Sequence, residues 1–188
     1  MSTTALSTAA WVAHDLGTAI GVGGALFGRV ALEPSVRNVR DQDQRGKLLT
    51  EAWRRFGVVQ MGALAVMAAT WYTGRAKLGG ASVGGAGTRG LIVAKDILVG
   101  TTVASAVGSA VTGNLLAARR RRHADAPIDD SGEVAASAPP AARRLGRITD
   151  AFGLANLLAG AGVIAVTAVL AMHAGKSARW SAISRLLP

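Results

Sequence analysis

Five ionisable residues at the edges of long apolar stretches hold the chemistry available to this chain: His14 and Asp15, Lys95 and Asp96, and His173. Ionisable groups within membrane-spanning helices are costly and usually face protein or water, so they point by default to proton, ion or small-solute sites. A competing reading is interface anchoring with interhelical salt bridges. The 97–118 stretch that follows Asp96 is uncharged and long enough to span by itself, which would leave Lys95 and Asp96 in the head-group region. Two further chemistries are open to the same residues. His14 and His173, on different helices at similar depth, could serve as axial ligands of a haem, with the glycines of the first segment making room for the macrocycle. His14, Asp15, Asp96 and His173 could also hold a divalent ion, although no ligand spacing supports a metal site.

The elements that must position these residues are four nearly uncharged segments, 11–32, 56–74, 97–118 and 151–172. A membrane-spanning helix needs about 17–25 predominantly apolar residues, so the four segments predict four spans. Half of the residues are apolar and 24 are glycine, with only 4% aromatic, a balance suited to closely packed membrane helices. Cysteine is absent, which excludes disulfides, thiolate metal sites and a cysteine nucleophile. The first 14 residues lack a basic segment ahead of the apolar run, so the first helix is expected to be retained, not cleaved as a signal.

The formal charge of +10 is distributed by topology. Of the 21 Lys and Arg residues, seven lie between Arg29 and Arg55 and seven between Arg119 and Arg147, against three in each of the 73–90 connection and the C-terminal tail. This alternation predicts cytoplasmic first and third connections and both termini outside the cytoplasm. The expected partners are the lipid bilayer, anionic head groups at the cytoplasmic Arg clusters, and a second copy or another membrane protein; nucleic acid is not expected.

Packing signals are concentrated in the first segment. Ala10, His14, Gly17, Gly21, Gly24, Gly28 and Ala31 alternate by four and three residues, forming one helix seam with little side-chain bulk. Asn156, flanked by Gly153 and Gly160 on one face, is expected to hydrogen-bond to another helix. Arg29 and Glu33 are expected to pair locally. The first helix should end near Glu33-Pro34. Residues 33–55 form a cytoplasmic connection with an amphipathic helix over 41–56, anchored by Trp53, that lies at the surface or runs into the second span. The Gly74–Gly90 connection predicts a flexible external loop, and the charged, Pro-containing 119–149 stretch a disordered one. Val12-Ala13-His14-Asp15 matches Val93-Ala94-Lys95-Asp96, and Arg54-Arg55-Phe56-Gly57 matches Arg143-Arg144-Leu145-Gly146, as two duplicated hairpins would.

The run Gly23-Gly24-Ala25-Leu26-Phe27-Gly28 leading to Glu33-Pro34, followed by a polar connection and three more spans, resembles the transmembrane-protein-205-like group of small four-helix membrane proteins. The resemblance covers mainly the first 75 residues, implies the bundle architecture and assigns no functional residue. No nucleophile elbow, phosphate loop, zinc-hydrolase helix or catalytic carboxylate pair is present. The sequence therefore predicts an all-α integral membrane four-helix bundle without enzymatic activity, acting as an assembly subunit or as a small transporter-like carrier. The alternative is a haem-binding electron-transfer protein using His14 and His173.

Overall fold

The computed structural model describes residues 3–78, 86–123 and 126–175. Four long helices account for most of them: α1 (Thr3–Phe27), α3 (Gln42–Leu78), α4 (Ala86–His123) and α5 (Pro140–Gly175), with a short α2 (Glu33–Ser35) between α1 and α3. All four contain a stretch long and apolar enough to cross a membrane. The fold is an all-α four-helix bundle with the architecture of a multi-pass membrane protein. Around the bundle, α1 packs on α3 and α5, and α4 packs on α5 and α3, which leaves α1 and α4 diagonal.

Which side chains face out bears on the medium. Leu16, Phe27, Val30, Val58, Ile97 and Leu158 are more than half exposed, while His14, Thr18, Lys95, Thr102, Ser105 and Asn156 are buried. In water, such an apolar exterior would be an extended sticky surface. Lipid is the solvent that suits it, because backbone polar groups are satisfied inside each helix and the polar side chains turn inward. An apolar cluster of Leu64, Met67, Trp71, Val99, Ala106 and Val163 fills the space between the helices.

Several element boundaries differ from the sequence expectation. The first helix does not stop at Pro34 but passes through a π-turn, Gly28–Leu32, into α2 and a 3-10 turn, Val36–Asn38. Proline has no N–H and its ring crowds the carbonyl four residues back, here Val30. The wider turn relieves this: the Glu33 N–H bonds to the Gly28 carbonyl, and the chain becomes extended only at Val39. The amphipathic segment runs straight into the second span as one helix of 37 residues. Helices also extend into the glycine-rich connection from both sides, leaving residues 79–85 outside the described residues.

The largest correction concerns the 119–149 connection, expected to be disordered. Residues 126–139 fold back over the end of the bundle, and the remainder is helical apart from residues 124 and 125, which lie outside the described residues. A bridge joins Ile128 to Val134, and the turn between them uses Gly132 at φ +89°, where a side chain would be strained. A Cβ there would also lie 3.0 Å from Glu33. Ile128 packs with Val36 and Leu49, while Ala126 and Ala138 pack with Leu116 and Ala142. Two arginines latch this cap: Arg45 donates to the Val39 carbonyl at 2.6 Å and pairs with Asp130, and Arg120 donates to the Ala126 carbonyl at 3.0 Å and to Thr50 Oγ1 at 3.2 Å. A small number of well-inserted apolar residues and two guanidinium groups, each donating twice, thus order a segment whose composition reads as unstructured.

Candidate functional site

The glycine seam of α1 is closed by α3. A Cβ added to Gly17 would lie 2.5 Å from the Ala63 carbonyl oxygen and 3.2 Å from the Met67 nitrogen, and one on Gly21 would lie 2.9 Å from Leu64. Gly24 receives the ring of Phe56, and Gly28 the indole of Trp53. Trp53, expected as an interface anchor, instead fills a helix notch. The macrocycle space imagined for a haem is therefore taken up by α3, and the seam does not fit that group.

Close contact of α1 with α3 places His14 at the centre of the polar end. His14 Nδ1 lies 3.0 Å from the Met67 carbonyl oxygen. A carbonyl can only accept, so Nδ1 carries the hydrogen, and in the neutral ring Nε2 carries the lone pair. Thr18 Oγ1 donates to the His14 carbonyl at 2.8 Å, and Thr70 Oγ1 lies 3.4 Å from Nδ1. The imidazole stands edge-on to Trp11, 6.1 Å between centroids, and tilted against Trp71 at 6.3 Å.

Lys95 reaches the same place from α4. It is 0% exposed, with Nζ 4.2 Å from the centroid of Trp71 and 5.3 Å from that of Trp11. The indole faces supply cation–π attraction but no lone pair. Among the described residues, the buried side-chain polar atoms without a hydrogen-bond partner are Lys95 Nζ and His14 Nε2.

Asp96 is held separately. It accepts from Trp71 Nε1 at 2.9 Å and pairs with Arg75 at 2.8 Å, tying α3 to α4. Asp15 is exposed on α1. His173 belongs to α5, but its side chain lies outside the described residues. Of the five expected polar-site residues, the structure thus brings His14 and Lys95 together, places Asp96 behind Trp71 and turns Asp15 outward. Among the described residues, His14, Asp15 and Asp96 are not gathered as a metal site would need. Trp11, Trp71, Met67 and Arg75 belong to the site without having been singled out from sequence. The signal available was the pair of tryptophans near the same helix ends as His14 and Lys95.

Deeper in the bundle, Asn156 donates to the Thr102 carbonyl at 2.8 Å and accepts from Gln60 at 3.2 Å, joining α3, α4 and α5. Thr149 donates to Thr112 at 2.8 Å nearer the cap. Interhelical bonds of this kind contribute about 0.6 kcal/mol each in membranes, enough to fix register. The expected Arg29–Glu33 ion pair is not among those formed. The intervening π-turn replaces the i to i+4 backbone spacing with i to i+5.

Two shallow cavities, about 250 and 340 Å³, lie at the cap end. The first is lined in part by Asp43, Gly46 and Arg120, and the second by Glu133, Arg143 and Asp150. Both are remote from Lys95, whose surroundings are closed by indole rings. No protein-family model matches the chain, and neither a curated protein nor a solved structure was found that matches it.

Proposed function

We propose that this protein is a non-enzymatic membrane carrier whose working centre is the His14–Lys95 site, with Asp96 positioning Trp71 beside it. The observation that supports this reading is the Lys95 ammonium, fully buried between two indoles and bonded to no acceptor. A structural ion pair would satisfy that charge, and an interface anchor would leave it in water; neither describes Lys95. Solid-supported-membrane recordings on reconstituted protein test this, using step changes in sodium, potassium, chloride, phosphate and protons in turn. At least one should evoke a transient current in the wild type that is lost in Lys95→Gln. Silence from well-folded wild-type protein across the panel would favour an assembly subunit instead.

The haem alternative gains nothing from the filled glycine seam. Membership in a larger assembly draws on one observation, the exposed Asn114 amide within the apolar span of α4. An amide facing hydrocarbon is better satisfied against another helix, including that of a second copy. Orientation follows from the basic residues near the cap, with both termini outside the cytoplasm and Arg side chains available to anionic head groups. The chain's lack of cysteine makes single-cysteine probes clean. Ser131→Cys should resist impermeant maleimide in intact cells, and Asn114→Cys should cross-link between copies; rapid outside labelling of the first or no cross-link of the second would overturn the respective assignment.

A further inference from the structure

We infer that the ligand of this site is a proton shared between His14 Nε2 and Lys95 Nζ, an inference that rests on the carrier reading. The Met67 carbonyl fixes the His14 hydrogen on Nδ1, which leaves Nε2 as a bare acceptor. Lys95 presents N–H donors and no acceptor while charged. Both nitrogens are buried, both side chains lie against Trp71, and neither has a partner. An anion is poorly received here, because it would meet indole faces and the Nε2 lone pair. The two shallow cavities lie at the other end of the bundle, and Lys95 Nζ is set against indole rings. A proton needs no counter-ligand cage, only the one water that carries it between the nitrogens.

The step balances without another reactant. The Nζ–H bond of Lys95 breaks and an Nε2–H bond forms on His14 through a bridging water, since the two nitrogens are not bonded to each other; the positive charge moves from ammonium to imidazolium, and the lysine is left as a neutral amine. Reversal restores the starting state, and exchange with water at the exposed Asp15 end loads or empties the pair.

Other charged groups around the pair are few. From α1 there is Asp15, exposed; from α4, Asp96, already bound by Trp71 and Arg75; and from α3, Arg75, held by Asp96. From α5, apolar Val163 and Leu170 enter the same core cluster, and the titratable residue at that end of the helix is His173, whose side chain lies outside the described residues. The matching quartets Val12–Asp15 and Val93–Asp96 put His14 and Lys95 at corresponding positions of the two hairpins, as a site built on the bundle axis requires.

Two measurements on the full chain separate this inference from the carrier reading. In the first, nitrogen NMR of labelled histidines in lipid follows the titration of His14, assigned by its loss in His14→Phe. Lys95→Met should move the His14 midpoint by about one pH unit or more, as coupled sites require. Arg89→Gln, which removes an exposed cation near the start of the same helix, should not move it. In the second, vesicles containing a pH dye report proton flux under an imposed potential, expected to fall about tenfold or more in Lys95→Met and in His14→Phe. An unmoved His14 midpoint in folded Lys95→Met protein overturns the shared-proton pair, whatever the flux. A moved midpoint without flux in any variant keeps the proton site and removes the carrier.

Discussion

Leucine at Gly17 should separate α1 from α3, whereas leucine at Gly23 should leave the protein unchanged. The Cβ of the first would fall 2.5 Å from the Ala63 carbonyl and 3.2 Å from the Met67 nitrogen, both backbone atoms that no rotamer change can move. Gly23 lies six residues further along the same helix, with nothing within 4 Å of its Cβ position. Separating the helices at Gly17 would loosen the inserted rings of Phe56 and Trp53 and break the His14–Met67 bond, so the damage spreads along the hairpin. Overpacking of this kind costs about 1–3 kcal/mol and occasionally more. For a chain of this size, that lowers the melting midpoint by about 2–4 °C per kcal/mol. Thermal unfolding in detergent, followed by tryptophan fluorescence, should therefore show a loss of about 2–12 °C for Gly17→Leu and almost none for Gly23→Leu. Equal losses would mean that contact with α3 along the seam does not set the response, since leucine is the better helix former at both positions.

The second large effect has the opposite sign. Lys95→Met should make the protein more stable while abolishing its currents. Methionine has a similar length, carries no charge to desolvate and makes favourable contacts with the faces of Trp11 and Trp71. Replacing a buried charge with a well-packed apolar residue often stabilises by about 1–4 kcal/mol. No group is orphaned by the change, since Asp96 keeps Arg75 and Trp71. Asp96→Leu provides the contrast: it strands the buried Trp71 indole N–H, while Arg75, 45% exposed, keeps water, and it should destabilise by about 1–3 kcal/mol. If Lys95→Met melted as low as Asp96→Leu, Lys95 would be a structural partner and not a group retained at a cost for function.

Helix number and the buried seam were legible in the sequence because both are periodic. Four uncharged stretches and a three-four alternation of small residues depend on local spacing alone, and spacing survives folding. Asn156 was legible for a related reason: an amide within an apolar helix has to find another helix. What escaped were features set by distant partners. Nothing near residues 126–139 announces that Ile128 will meet Val36 and Leu49, or that Arg45 and Arg120 will turn inward. Charge and proline content describe a segment by itself, whereas its order here comes from the surface it covers. The Pro34 stop was misplaced because a π-turn absorbs the missing hydrogen bond. At the polar end, the identities of His14 and Lys95 were readable, but their separation from Asp15 depends on helix rotation, and the part played by Trp71 depends on its reach between α1 and α4.

Amine footprinting in lipid vesicles tests the buried Lys95 most directly. A small permeant acylating reagent, with peptide mass spectrometry, compares Lys95 with Lys47, whose side chain is 76% exposed beside Asp43. If Lys95 must await a local opening of even about 3 kcal/mol, its modification should be slower than that of Lys47 on the order of 100-fold. Comparable rates at the two lysines would show Lys95 reaching water at the head-group level, as an interface anchor and not as the centre of a site.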